Sequence, residues 1–309
     1  MHLVPAPAAT IPSPPSIAPA SRPSRWSRLA GYVRVTSVAF WGVHVAAVVG
    51  VILGGWSWSG VALALVSYYV RMIVVTAGYH RYFAHRAFKT SRGFQFVLAM
   101  LAQTAAQKGV LWWASHHRWH HKYSDTPKDI HSAKLQGFWH SHIGWVMAPE
   151  WDDTDQSLVG DLAKFPELRF MDRSGWNILP TALLALAFLL IGGGHALVWG
   201  YFIPTVLLWH GSFAINSLAH LVGKRRYATT DDSRNSFILA LLTTGEGWHN
   251  NHHHYQSSAN QGFRWWEVDV TYYVLRLLAA VGLVWDLRRP PRHVLEDDGS
   301  ADAGTRAAA

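Results

Sequence analysis

Three histidine clusters of related spacing carry the chemistry for which this sequence is equipped. Gly245-Glu246-Gly247-Trp248-His249-Asn250-Asn251-His252-His253-His254 puts four histidines into six positions behind two glycines, which let the backbone turn tightly. Read as a helix, it sets His249, His252 and His253 at i, i+3 and i+4, so three imidazoles share one face. His117-Arg118-Trp119-His120-His121 repeats that HxxHH spacing, and His80-Arg81-Tyr82-Phe83-Ala84-His85 adds an HxxxxH pair. One histidine run can be a solvated surface. Three of one spacing class point to a metal centre.

Imidazole suits zinc, copper, iron and nickel, so the clusters imply a transition metal without choosing among them. The chain has no cysteine, which excludes disulfides, iron–sulfur clusters, c-type haem attachment and thiolate-ligated haem within it. His220 joins the candidates because it stands at i, i+4 from Asn216 near the end of an apolar stretch, where polar groups are costly unless used. His80, His85, His117, His120, His121, His220, His249, His252 and His253 make nine imidazoles. A closed structural zinc site needs only four ligands. Nine fill two sites and leave room for a small ligand, and two metals without bridging carboxylates favour redox chemistry over hydrolysis.

The elements that must position these residues are membrane helices. The chain of 309 residues is 50% hydrophobic and 15% charged, against about a quarter charged in a soluble domain. Its 17 tryptophans suit a membrane interface. Apolar runs at about 35–53, 61–80, 178–194 and 197–219 are long enough for four transmembrane helices. Residues 54–60 and 192–196 form turns without Lys or Arg, while basic residues crowd the N-terminal segment, the 79–175 stretch and the chain beyond Leu221. The positive-inside rule therefore predicts cytosolic termini and all three histidine clusters on the cytosolic side. The fold class is all-α integral membrane, two helical hairpins with a cytosolic helical cap carrying the histidine boxes.

Around the spans, residues 1–24 read as a disordered Pro/Ala/Ser tail followed by a basic collar of Arg22, Arg25, Arg28 and Arg34. The domain runs over 25–289, and 290–309 reads as a second disordered tail. Phe94–Ala106 is apolar but too short to span and predicts an interfacial or re-entrant helix. Val268–Trp285 predicts an amphipathic closing helix. His44 reads as a packed or lumen-facing histidine, and His131, His140 and His142 are spaced too irregularly to be assigned as ligands. Asp152, Asp153, Asp155 and Asp161 read as a solvated acidic loop. The net charge of +8 is explained by the basic loops, and no nucleic-acid-binding domain is visible.

HRYFAH, HRWHH, NSLAH and GEGWHNNHH, in this order around four spans, resemble the membrane fatty acid desaturases of the stearoyl-CoA Δ9 type. The similarity runs from about Val61 to Arg289. His121-Lys122-Tyr123-Ser124-Asp125, Gly144-Trp145 and Gly282-Leu283-Val284-Trp285-Asp286-Leu287 extend it. The resemblance implies two non-haem iron ions held by the nine histidines, with Asn216 reaching iron through a water and no catalytic side chain beyond these ligands. It implies O2-dependent insertion of a cis double bond, Δ9 by resemblance, into the acyl chain of an acyl-CoA or a phospholipid. Trp113, four residues before His117, resembles a tunnel-wall tryptophan near the bend of the acyl chain. The sequence carries no fused cytochrome b5 motif, so the electron donor is expected to be separate: a ferredoxin, a rubredoxin or a cytochrome b5-like protein, with its reductase. The HNNHH wording and Trp265-Trp266-Glu267 look like bacterial members, which implies a multi-pass protein of the bacterial inner membrane. Asp129-Ile130-His131 departs from the Asp-Pro-His usual in the family.

Two other readings compete. A di-iron hydroxylase of an alkyl or acyl chain shares this plan of boxes, but the Asn-Tyr-x-Glu-His-Tyr-Gly motif of alkane hydroxylases is missing. A metal transporter would place ionisable residues deep within the spans, whereas these clusters sit at helix ends.

Overall fold

The structure, a computed structural model, describes residues 35–296. The expected N-terminal tail and its arginine collar lie outside the described residues, as does the chain from 297 onward. Helix α1 (Val35–Gly54) has 20 residues, predominantly apolar and without Asp, Glu, Lys or Arg, and is about 30 Å long, sufficient to cross a bilayer. Ser57 caps α2 (Trp58–Val74) by accepting the Gly60 N–H at 3.0 Å. The helical path then continues as a π-helix, Val75–Ala84, so the apolar run reaches 27 residues, Trp58–Ala84. It outlasts the expected 61–80 and carries His80 inside its last turns.

The third apolar run, Trp176–Leu218, is 43 residues long and is bent. Within α5 (Leu179–Leu197), Gly192 and Gly193 leave helical geometry, Gly193 at φ 61° and ψ −155°. A π-helical turn, Val198–Phe202, leads into α6 (Ile203–Leu218). The Thr181 Oγ1 lies 2.6 Å from the Tyr201 hydroxyl, although 20 residues of straight helix would separate them by about 30 Å. The chain therefore doubles back at the glycines. Three helical runs among the described residues are long and apolar enough to cross a membrane, and exposed side chains such as Ile52, Leu53, Leu190 and Ile191 give them an outer surface suited to lipid.

Arg71, buried within α2, donates to Thr205 Oγ1 at 2.8 Å and to the Thr104 carbonyl at 2.6 Å. It thus fastens α2 to α6 and to the end of α3 (Arg92–Gln103), which covers most of the short apolar stretch expected to be helical. Helix α4 (Val110–Tyr123) begins where Asp172 Oδ1 accepts the N–H groups of Leu111 and Trp112. Helix α7 is His249–His254, and α8 is Val270–Ala280.

The closing segment departs from expectation. Gly282 at φ 75° ends α8 early, and Val284–Trp285 pairs antiparallel with Lys89–Thr90, adding a two-stranded sheet to a helical fold. Arg292–Glu296 is helical within the stretch expected to be a tail. The buried core joins the inner end of α2 to α4 and α8 through Tyr79, Phe83, Leu111, Leu168 and Leu275.

Candidate metal centre

The five-residue spacing of His80 and His85 would put them about 140° apart on an α-helix. Here the His85 N–H reaches the His80 carbonyl at 3.1 Å, an i→i+5 bond of the π-helix, and both rings turn to one side. Their centroids lie 4.7 Å apart. Arg118 explains how this end of α2 is held against α4. Its guanidinium donates to the Phe83 and Ala84 carbonyls at 2.9 and 2.8 Å and to Asp161.

Helices α4 and α7 each serve both halves of the centre. Neighbouring residues alternate: His117 and His121 face one group and His120 the other, while His252 faces the first and His249 and His253 the second. The first group is His80, His85, His117, His121 and His252; the second is His120, His220, His249 and His253, with ligand atoms within 4.8 Å of one another in each. The groups adjoin, the rings of His121 and His253 being 4.3 Å apart. All nine histidines singled out in the sequence fall in these two groups.

The donor set fits metal ions. In the first group the Nε2 atoms of His80, His252, His121, His117 and His85 follow one another at 3.0, 2.9, 2.9 and 2.8 Å. A neutral imidazole nitrogen has either one proton or one lone pair to offer, so the three inner nitrogens, with two neighbours each, cannot form hydrogen bonds on both sides. Nitrogens bound to a metal at about 2.1 Å stand ~3.0 Å apart when adjacent. In the second group, the buried Nε2 atoms of His120 and His253 have no hydrogen-bond partner, while His220 and His249 bring theirs to 3.1 Å. Burial, followed by neighbouring histidines, pushes the pKa values of His85, His117, His121, His249 and His252 well below 6.5. The rings are neutral, as metal ligands must be.

Four carboxylates orient the rings from behind, and spacing alone did not reveal them. Glu246 lies 2.5 Å from His80 Nδ1, Asp129 2.9 Å from His120 Nδ1, Asp125 2.8 Å from His220 Nδ1 and Asp231 2.5 Å from His253 Nδ1. Against the effect of burial, the histidine partners hold the Asp125 carboxyl down at about 2 and keep Asp129, Asp231 and Glu246 low as well. Ionised carboxylates only accept, so each Nδ1 carries the proton and Nε2 keeps its lone pair for the centre. Asp125 and Asp129 flank the second box, and Glu246 sits inside the third. Asp231 has no such signal. Its loop is held by Asn250 of the third box, whose side chain accepts the Arg226 and Tyr227 N–H groups at 2.7 Å.

The remaining candidates separate. Trp113 stacks on Tyr79 and on His117, at 5.4 and 4.8 Å between centroids, so it walls the centre on the side of the core. Asn216 is half-buried one turn before His220, and its carbonyl accepts from Ser141 Oγ at 2.8 Å. His131 lies against His120, centroids 4.2 Å apart, and groups with Asp129. His140 reaches the Ile130 carbonyl at 3.2 Å. His44, His210 and His142 form a chain, His44 Nε2 to His210 Nε2 at 3.1 Å and His210 Nδ1 to His142 Nε2 at 3.0 Å. In the acidic loop Asp152 pairs with Lys108 and Asp161 with Arg118, so these two serve as anchors.

Comparison with known proteins gives the same direction. Residues 56–286 match the fatty acid desaturase family. The chain is 37% identical over 257 residues to an sn-1 stearoyl-lipid 9-desaturase of Anabaena variabilis, covering 82% of this chain and 93% of that one. It is 36% identical over 255 residues to an sn-1 stearoyl-lipid 9-desaturase of Synechocystis sp., covering 82% and 79%. It is also 37% identical over 238 residues to an acyl-CoA 5-desaturase of Anemone leveillei, covering 76% and 73%.

Proposed function

The chain belongs to the fatty acid desaturase family, and from that premise we propose that it introduces a cis double bond, at Δ9, into a saturated acyl chain. The overall change is –CH2–CH2– + O2 + 2 e− + 2 H+ → –CH=CH– + 2 H2O, with both electrons supplied by a separate carrier. The observation that carries this reading is the convergence of nine imidazoles into adjoining groups of five and four. Two non-haem iron ions held there would supply the O2 chemistry that removes hydrogen from an unactivated C–H bond.

The chain's own residues supply the rest. His80, His85, His117, His121 and His252 hold one ion, and His120, His220, His249 and His253 hold the other, with Asn216 contributing through a water. Glu246, Asp125, Asp129 and Asp231 fix ring orientation and keep the ligand nitrogens unprotonated. Trp113, packed on His117, forms a wall that presents one pair of carbons to the centre. The bend at Gly192-Gly193 splits the third apolar run into two crossings, giving four spans with termini and centre on the cytosolic side, as the distribution of basic residues favours. The inner membrane of a bacterium is the expected setting. The cyanobacterial relatives support an acyl chain esterified in lipid as the substrate.

Gas chromatography–mass spectrometry of fatty acids from a desaturase-deficient host expressing the chain tests this reading, with His252→Ala alongside. The expected result is a new Δ9 monounsaturated species that disappears in the variant. Hydroxy acids in its place would assign a hydroxylase, and a product retained in the variant would refute the ligand set.

A further inference from the structure

The two histidine groups differ in their access to the surface. All four members of the second are buried, but three of the first, His117 and the pair His85 and His121, are partly exposed, and that pair faces a pocket. His85 and His121 form part of the wall of this open pocket of about 350 Å3, beside Arg118, Lys122, Gln256 and Ser257. All the residues that line it except Ala84 carry polar or charged side chains, and positive charge gathers around it. Lys122 is exposed. The Ala87 carbonyl accepts the Arg288 N–H at 2.9 Å, and the Arg288 carbonyl accepts the Ala259 N–H at 2.8 Å, which brings the exposed Arg288 and Arg289 alongside. The acidic side chains here are matched: Asp161 to Arg118 and Arg86, and Asp286 to Lys89. Cations are therefore in excess.

We propose that this pocket is the electron-entry port, and that an acidic one-electron carrier protein docks on its basic rim. The inference rests on the desaturase reading and names the partner of the same centre. Each double bond requires two electrons, so two reduced carriers dock in turn. Each is oxidised by one electron, which passes by way of the His85 or His121 ring to the metal centre, and O2 is the terminal oxidant. Partly exposed histidines shorten that path, while the buried second group offers none. The acyl chain is directed elsewhere. Trp113 and Lys122 lie nine residues apart on α4, ~13 Å along its axis, so the apolar wall and the polar port occupy opposite ends of one helix. Excess positive charge fits an acidic partner and speeds its encounter.

The test uses the full-length chain in phosphatidylcholine nanodiscs and oxidised plant-type [2Fe–2S] ferredoxin as the acidic probe, with affinity read by fluorescence anisotropy. Lys122→Glu and, in a different element, Gln256→Glu are each expected to weaken binding about tenfold at low ionic strength, with the difference shrinking as salt is added. Lys134→Glu, on the segment that follows Asp129, is expected to bind as wild type does. Unchanged affinity in both port variants, an equal loss in Lys134→Glu, or no binding by the wild type would overturn the port. So would a raised KM for the acyl substrate in Lys122→Glu with ferredoxin binding intact, which would assign the rim to an anionic substrate headgroup. Because binding is read without turnover, the two readings fail separately. A chain that binds ferredoxin here but forms no double bond keeps the port and loses the desaturase reading; a chain that forms double bonds while both variants bind normally does the reverse.

Discussion

The carboxylate of Glu246 accepts the Nδ1–H of His80 at 2.5 Å, and its other oxygen holds the Arg81 guanidinium at 3.1 and 3.2 Å. One side chain from the third box thus fixes two neighbouring residues of the first. Arg81 is fully buried and is balanced by Glu246 and Asp269.

Removing that carboxylate should therefore be felt in two ways. Glu246→Gln keeps an acceptor for His80 and is expected to lower metal affinity by about 10–100-fold, measured as iron retained during dialysis against a chelator. Glu246→Ala also leaves the buried Arg81 Nε and Nη2 without a partner, Asp269 remaining on Nη1, and is expected to cost about 1–3 kcal/mol, read from the unfolding midpoint. Wild-type iron retention in Glu246→Gln would deny the residue this orienting role.

The division into two groups predicts divisible metal loss. His249→Ala removes a member of the second group and leaves the five histidines of the first intact. Purified variant should hold roughly half the wild-type metal by plasma emission spectrometry, given four or five ligands per ion. Complete loss would mean that the groups fill only together.

Asp231 should matter although nothing in the boxes marks it. Asp231→Ala leaves His253 Nδ1 unsupported and is expected to weaken metal binding by about 10–100-fold, again by chelator competition. Asp153→Ala, in the loop after Trp151, should bind metal as wild type does.

Gly247 offers a steric test of the turn before α7. A Cβ there would lie 2.0 Å from the Ala240 nitrogen and 2.5 Å from the Leu239 carbonyl carbon, and backbone cannot yield as a flexible side chain can. Gly247→Ala is expected to cost about 3 kcal/mol or more, above the roughly 1–3 kcal/mol typical of an overpacked site. A near-native melting temperature would contradict it.

Asp172 gives a dependence on pH outside the metal ligands. Burial raises its carboxyl pKa above 3.8, partly offset by the N–H groups of Trp112 and Leu111 and the Thr154 hydroxyl. Because the folded pKa is the higher, the folded chain binds more protons in this window, and stability falls as pH rises from 3.8 through the raised value. Asp172→Asn cannot ionise. Its stability relative to wild type should climb across that window and then level off, measured by thermal unfolding at a series of pH values. A flat difference would mean that Asp172 titrates normally.

The sequence by itself determined the class of chemistry and the solvent. Imidazoles at i, i+3 and i+4 need only a helix to share a face, and apolar runs of membrane length need only a bilayer. Both signals are local, so His249, His252 and His253, or the stretch over α1, could be read one segment at a time. The tertiary structure decided everything that depends on distant partners. The pairing of His80 with His252 spans 172 residues, that of His220 with Asp125 spans 95, and even His253 and Asp231 are 22 apart. Which histidine joins which group, and which carboxylate stands behind it, follows from how the helices pack. The π-helix at His80–His85 and the reversal at Gly192-Gly193 were hidden for a related reason. Each is a choice among backbone geometries that the local sequence permits and only packing selects: rings drawn to a common centre in one case, Phe188 closed against Gly200 in the other.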